Sequence, residues 1–422
     1  MSKATPIAAE ASTNAASTAG LVAGLFTPEF VANPYQTYAF LHAMNPFFQL
    51  PGTNTWLAVR YADCHAILRD KRFGHDFDGQ LLKGDGAAAF NEPSIASLRQ
   101  MLLVKDPPDH KRLRGLVVRA FDGRSIARMQ TRIRTLVDQL IDRMLPLSGA
   151  GGGGDLMALF AHPFPVLVIC ELLGIPEEDR ARFLDSYEVG GRIIDPTPMT
   201  PAELAAANAS TLNSNAYFEA LCDERRKRPK DDLITYLVQS ETDEGRLTSE
   251  ELTANISLLF AAGHETTKNL IGNGLLALYR NPDQLALLRA QPELTANAIE
   301  ELLRYDSSVQ LTARTTLEDA ELNGVALPKG TEVITLIGAA NHDPAQFADP
   351  GRLDITRNDV TPLSFGGGIH FCLGAQLARL EAAEAFPALL ARLPRLQLQN
   401  LDAPEWRTTI TLRGLKTLLA TW

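Results

Sequence analysis

Phe365-Gly366-Gly367-Gly368-Ile369-His370-Phe371-Cys372-Leu373-Gly374 puts one cysteine behind a glycine-rich loop, and a helix-like run follows from Ala375 through Leu377, Ala378 and Leu380. A thiolate is a soft, strongly donating ligand that suits iron or zinc. A helix starting just after Cys372 brings the positive end of its dipole to the sulfur and favours the thiolate. Glycines have no side chain to obstruct, so this backbone can lie close to something flat and bulky. Zinc would need three further cysteine or histidine ligands at a recognisable spacing, and none stands nearby. A lone thiolate points instead to haem iron, where the porphyrin supplies the equatorial ligands.

The bulk numbers fit such a protein. The chain has 422 residues, 45% hydrophobic and 21% charged, which is ordinary for a soluble globular protein. Its formal charge of −10 argues against nonspecific nucleic-acid binding, which needs a basic surface. A local basic patch for an acidic protein partner is compatible with it. Cys64, Cys170, Cys222 and Cys372 are scattered, with no CxxC. That is no disulfide framework and implies a reducing, cytoplasmic setting. Cys64, Cys170 and Cys222 have apolar neighbours and read as plain core positions. No apolar run approaches the ~18 residues of a membrane span. Residues 1–22 are rich in Ala, Ser and Thr without a signal-peptide pattern, so a disordered leader is expected there. A single catalytic domain is expected over 23–422.

Along the chain, apolar spacing predicts a helix over Pro34–Leu50, a strand over Thr55–Arg60 and a helix from Tyr61 to Leu68. Glycines and polar residues over 73–104 read as a long functional loop. Asp106-Pro107-Pro108 ends it, and Asp109 is placed to cap the helix that follows. His110 and Arg114 then share a helical face. They could clamp an anion, although spacing alone reads more simply as a solvated basic helix start. Gly151–Gly154 reads as a hinge, and Gly190-Gly191 with Pro196–Pro201 as a mobile lid.

The longest helical signal runs from Glu251 to Arg280, with a capping box at Thr248 and Glu251 and a stop at Asn281-Pro282. At about 1.5 Å per residue it crosses the whole molecule. In its middle lies Ala261-Ala262-Gly263-His264-Glu265-Thr266-Thr267. Polar groups in a buried helix centre are costly and need a reason. Gly263 would allow close approach of a cofactor. The threonine hydroxyls can bond back to preceding carbonyls and distort the turn. His264-Glu265 does not begin a metalloprotease HExxH, because Lys268 stands at the fifth position. Thr295–Tyr305 carries Glu301 and Arg304 at i,i+3, which alone reads as a surface ion pair. Short strands are expected over 311–337 and 408–421, with a coil over 344–357. The fold class is therefore mainly α with small β-sheets.

In this order the pieces resemble the cytochromes P-450, the haem-thiolate monooxygenases, over residues 25 to 422. Phe365, Gly368, His370, Cys372 and Gly374 match every fixed position of F-x-x-G-x-[HR]-x-C-x-G. Ala262, Gly263, Glu265, Thr266 and Thr267 match [AG]-G-x-[DE]-T-[TS], and Glu301 and Arg304 match ExxR. The resemblance implies a triangular helical prism with haem b between the long central helix and the cysteine-loop helix. It makes Cys372 the axial thiolate, whose electron push favours O–O cleavage. Phe365 packs beneath the haem, with Gly374, Ala262 and Gly263 also close to it. His110, Arg114, Arg314 and His370 become partners of the haem propionates. Glu301, Arg304 and Arg352 become a structural network, although the aromatic usual after that arginine is replaced by Leu353. Thr266 and Glu265 form the acid–alcohol pair that orders water and relays protons.

The implied reaction is monooxygenation (hydroxylation or epoxidation) of an apolar small molecule, as in secondary metabolism. The substrate would meet residues 78–100 and 186–200, Leu258, Ala262, Val309, Gln310, Leu311, Thr409 and Ile410. A terpenoid, steroid, fatty acyl or macrolide-like compound fits such a lining. Electrons would come from NAD(P)H through a ferredoxin or flavodoxin and its reductase, docking near Lys111, Arg112 and Arg379 on a monomer. Peroxide-driven or coupling chemistry, or a haem sensor without turnover, are the alternatives; the Glu265-Thr266 pair weighs against peroxide use and against a sensor.

Overall fold

Thr248 starts the helix on which the rest is assembled. Its hydroxyl accepts from Glu251 N–H at 3.1 Å while the Glu251 carboxylate accepts from Thr248 N–H at 2.9 Å, closing the expected capping box. The computed structural model describes residues 24, 27–84, 86–121, 123–148, 152–184, 192–195, 197, 199–240 and 245–422. The expected leader, 1–22, lies outside the described residues, as do Gly190, Gly191 and Pro196 of the expected lid.

The longer helices are α1 (Tyr35–Met44), α2 (Asp109–Val117), α3 (Gly123–Met144), α4 (Pro163–Leu173), α5 (Pro201–Lys227), α6 (Ser249–Arg280), α7 (Pro282–Ala290), α8 (Thr295–Tyr305) and α9 (Ala375–Arg392). The strands are β1 (Phe47–Gln49), β2 (Thr55–Ala58), β3 (Phe73–Gly74), β4 (Gly153–Asp155), β5 (Thr312–Thr316), β6 (Ala320–Leu322), β7 (Val325–Leu327), β8 (Glu332–Thr335), β9 (Gln397–Leu398) and β10 (Leu419–Thr421). They form sheets in the orders β1-β2-β8-β5-β3, β4-β10-β9 and β6-β7. In the largest, β8 pairs parallel with β2 and antiparallel with β5, setting Arg314 opposite Val333.

From Lys268 to Tyr279 every residue of α6 is buried, as a helix apolar on most sides requires. There Leu275 and Leu276 join Leu302 of α8 and Phe386 of α9 in the main core. A Cβ at Gly274 would stand 2.6 Å from the Phe386 ring, so glycine sets the α6–α9 spacing. Around the N-terminal half of α6, Ile169, Phe183, Phe218 and Phe260 make a second core. Two smaller clusters lie beside the five-stranded sheet.

Four expectations change. The helix predicted over 34–50 ends at Met44, and Phe47–Gln49 pairs with β2. The predicted loop 73–104 carries helical turns at Phe77–Gly84, Ala87–Asn91, Pro93–Leu98 and Leu102–Val104; Gly84 and Gly86 bound these turns, while Gly79 lies inside one and Gly74 is strand. Gly153 and Gly154 are strand, pressed against Ala420 and Thr421 where a side chain at 153 would overlap backbone, and are no hinge. Pro108, rather than Asp109, holds the N-cap of α2, leaving Asp109 as a first-turn acid.

Candidate functional site

The cysteine loop is shaped by its glycines. Gly366 and Gly368 have φ of +69° and +63°, a region in which only glycine is unstrained. A Cβ at Gly368 would also overlap the Leu68 carbonyl. Cys372 N–H donates to Phe365 O at 3.0 Å, closing the loop on itself, and α9 begins at Ala375 with Gly374 as its N-cap. Cys372 is accessible. Protein crowding its sulfur pushes the thiol up, opposed by the Gly374 N–H, Arg114 and Arg379. Among the described residues no group of three or more His, Cys, Asp or Glu side chains is gathered as a metal site, so Cys372 stands without protein co-ligands. The half-buried Phe365 ring packs on the main core and lies 4.5 Å beneath the Arg379 guanidinium.

Beside this loop the structure gathers His110, Arg114, Arg314 and His370, as expected, and adds His75. The His370 ring lies 4.2 Å from His110 and 4.6 Å from His75, centroid to centroid. Arg114 donates to Phe371 O at 2.7 Å. Arg314 is buried and donates to Ala313 O at 2.7 Å and Thr312 Oγ1 at 3.1 Å. Burial first, then neighbouring cations, lower His75 to about 3 and His110 to about 4. His370 falls to about 2, and Arg314 is pushed down to about 10 by burial. The nearby carboxylate of Asp106 is spent on the backbone N–H groups of His75 and Asp76. The Nε2 atoms of His75, His110 and His370 are all buried without a partner. Buried polar atoms are rarely left so. A set of donors and cations around orphaned imidazoles is what a buried dianion needs, and the two carboxylates of a haem fit it. Sequence reasoning missed His75, which belongs to no motif and joins the others only through the antiparallel pairing of β3 with β5.

On α6, Ala262 is exposed and Thr266 half-buried on one face. Thr266 donates to Ala262 O at 2.7 Å and Thr267 to Gly263 O at 3.2 Å. These back-bonds occur without interrupting the helix. Ser308 holds the same turn, donating to Thr266 O at 2.9 Å. Gly263 departs from expectation: a Cβ there would meet Ile169 Cδ1 at 3.0 Å, so its bare side admits α4 rather than a cofactor. Glu265 is buried, 2.9 Å from the Arg407 guanidinium and 3.9 Å from Lys268 Nζ.

Arg304 and Glu301 are fully buried and joined by two bonds of 2.7 and 2.8 Å. Arg304 also donates to the carbonyls of Asn341, Pro350 and Arg352, at 3.0, 2.8 and 3.2 Å. This pair is a core clamp rather than a surface ion pair. The third arginine is not Arg352, whose guanidinium faces solvent near Asp354. It is Arg357, 3.3 Å from Glu301.

Of the expected substrate residues, Leu258, Val309, Leu311 and Thr409 are half-buried and Ile410 is buried. Val309 pairs with Leu412, and the Thr409 hydroxyl closes that turn by donating to Leu412 O at 2.7 Å. Gln310 is a correction: its side chain accepts from Tyr38 OH at 2.9 Å and donates to Ser307 O at 2.7 Å, so it ties α1 to the core and leaves the pocket. Arg112 and Arg379, expected near the docking site of the redox partner, are paired with Glu251 and Glu300.

Fold and site together define a mainly helical protein that binds a flat, dianionic cofactor between a cysteine loop and a long helix. The Cytochrome P450 family model matches residues 204–409. The chain is 40% identical to cytochrome P450 monooxygenase PikC of Streptomyces venezuelae, covering 94% of this chain and 93% of that protein. It is 41% identical to vitamin D(3) 25-hydroxylase of Pseudonocardia autotrophica, covering 94% and 96%. Among solved structures, P450BioI in complex with hexadec-9Z-enoic acid ligated acyl carrier protein is similar at a TM-score of 0.86 and 35% identity, covering 94% of this chain and all of that one. The chain belongs to the cytochrome P450 family. It is a haem monooxygenase with haem b as its cofactor, and it requires a substrate, dioxygen and a redox partner. No helix among the described residues is long and apolar enough to cross a membrane.

Proposed function

We propose that the chain, a cytoplasmic monomer, hydroxylates or epoxidises an apolar small molecule, with Cys372 as the residue that would hold the haem iron. Electrons come from NAD(P)H through a ferredoxin or flavodoxin and its reductase. The observation that carries this reading is one accessible sulfur set beside three orphaned imidazoles and two arginines. Bound haem supplies the activation of dioxygen at its iron. Cys372 gives the thiolate, supported by the Gly374 N–H and by Arg114 and Arg379. His75, His110, Arg114, Arg314 and His370 would hold the propionates. Thr266 spends its hydroxyl proton on Ala262 O, which leaves its oxygen lone pairs to accept from water on the open face. Glu265, one residue away and tied to Arg407, relays protons towards that face.

Leu258, Ala262, Val309, Leu311 and Ile410 offer aliphatic surface and few polar anchors, which suits a terpenoid, steroid, fatty acyl or macrolide-like substrate. The acyl-carrier complex of P450BioI supports the fatty acyl member of that set. Product analysis with a supplied reductase system and an apolar compound library tests the reaction. Oxygenated product from at least one member is expected; its absence throughout, with correctly loaded haem, would overturn the reading. Cys372→Ser is expected to abolish oxygenation and to shift the reduced carbon-monoxide band to shorter wavelength.

A further inference from the structure

Glu265, Asn269 and Asn273 follow one another at i, i+4 and i+8 on α6, so they share one face of the helix. All three are buried, at 3%, 0% and 1% exposure. The segment 405–416 covers that face. Arg407 pairs with Glu265 at 2.9 Å. The amide of Asn269 lies against Gly414 so closely that any side chain at 414 would overlap it. Asn273 donates to Arg413 O at 3.1 Å. Yet Asn269 Nδ2, Asn269 Oδ1 and Asn273 Oδ1 have no partner in the protein. Two donors and two acceptors on adjacent turns, sealed from bulk solvent, are not left unsatisfied at so little benefit; buried water is what normally fills such a set. Arg407, paired with Glu265, and Arg413, whose carbonyl takes the Asn273 bond, also line a cleft with Phe30, Val31, Trp406, Thr409 and Ile410, so that cleft adjoins the column at both ends.

We propose that Asn269 and Asn273 bind ordered water beneath Gly414, and that this water supplies protons to Glu265. The inference rests on the relay role given to Glu265 above. In each transfer an O–H bond of the water breaks and one forms on a Glu265 oxygen. The water recovers its proton from solvent at the Arg407 cleft, so no other reactant is needed. Asn269 and Asn273 are positioning residues, since they act through water and touch neither substrate nor haem.

A high-resolution crystal structure of the holoenzyme should show water within hydrogen-bond distance of both asparagines; a dry contact there would overturn the proposal. Turnover is then followed with NADPH, a plant-type ferredoxin, its reductase and dodecanoic acid as the apolar probe. Asn269→Leu, checked for an unchanged reduced carbon-monoxide spectrum, should raise peroxide released per NADPH by roughly tenfold and enlarge the solvent isotope effect. Asn269→Ser keeps a donor and an acceptor at the site without adding charge and should stay nearer wild type, while Asn273→Leu should follow Asn269→Leu more weakly. If Glu265→Gln changes both readouts but Asn269→Leu and Asn273→Leu change neither, the water site is refuted and the Glu265 reading survives. If Glu265→Gln changes neither, that reading falls and takes this one with it.

Discussion

The Arg357 guanidinium stands 3.3 Å from the Glu301 carboxylate, five residues beyond the arginine that the sequence pattern singles out. Its Nη1 also donates to Ala348 O at 2.7 Å, so it ties the coil before the cysteine loop to α8. Arg352, with its side chain 62% exposed, contributes only a backbone carbonyl to Arg304. Removing Arg357 leaves a buried carboxylate short of a partner. Arg357→Ala should therefore cost about 1–3 kcal/mol of stability, whereas Arg352→Ala should cost less than ~1 kcal/mol. Urea denaturation of the holoenzyme variants compares them; equal losses would contradict the network drawn here.

The error over the third arginine shows where the sequence stops being legible. Motifs at fixed spacing were readable: Cys372, the Glu301–Arg304 pair and the Thr248 capping box all depend on local geometry. Arg352 and Arg357 lie on irregular chain, where no periodicity tells which side chain turns inward. His75 was invisible for a related reason, since strand pairing across hundreds of residues brings it to His370. Gly263 shows a third limit. A glycine in a helix announces a close approach but not what approaches, and here it is Ile169.

That contact yields a graded prediction for glycines. Gly263→Ala places a methyl 3.0 Å from the end of a flexible Ile169 side chain, which can yield, so stability should change by less than about 1 kcal/mol and haem content should not change. Gly368→Ala meets fixed backbone at Leu68 with φ at +63°. It should lose several kcal/mol, of order 1–3 from strain alone, and much of its haem. Haem-to-protein absorbance ratios of the purified variants decide between these outcomes.

Asp195 joins two stretches proposed to meet substrate. Its buried carboxylate accepts from Ile410 N–H at 2.8 Å and Thr411 N–H at 3.0 Å, and from Thr197 N–H at 3.1 Å. Charge-assisted bonds of this kind are worth about 1.5–3 kcal/mol each. Asp195→Ala should loosen the 408–412 turn and raise the rate of imidazole binding to the haem by about tenfold, read by stopped-flow absorbance. An unchanged rate would separate this contact from ligand access.

Acid sensitivity follows from histidines buried without charge. Burial holds His264 down to about 3, against a bond to Phe260 O, and likewise holds His342 down to about 3. The unfolded chain protonates these groups near pH 6.5, so the stability they protect is complete above that pH. It is lost as pH falls towards 3, by about 1.4 kcal/mol per pH unit for each histidine. The urea midpoint should drop between about pH 7.5 and about pH 5.5, and His264→Phe should flatten that slope by one proton's worth.

Of the three cations expected at the docking surface, two are tied into the fold. Arg112 is bound to the capping glutamate of α6 and Arg379 to Glu300, so reversing either would disturb the fold along with any partner. Lys111 is exposed on the first turn of α2. Lys111→Glu should slow reduction by an acidic ferredoxin and weaken its dependence on salt, with the carbon-monoxide spectrum intact.

The basic cradle can also be viewed as a question of chain connectivity. His75, His110, Arg314 and His370 belong to four separate stretches of the sequence, and the nearby Asp106 carboxylate is spent on backbone N–H groups rather than on their side chains. A dianion gripped by all four acts as a removable cross-link. It closes long loops of chain that would otherwise have to be closed by packing alone, and long loops gain most from such a tie. Loading the cofactor is therefore part of completing this fold, and its loss should loosen the β3–β5 edge and the start of α2 before the main core around α6 gives way.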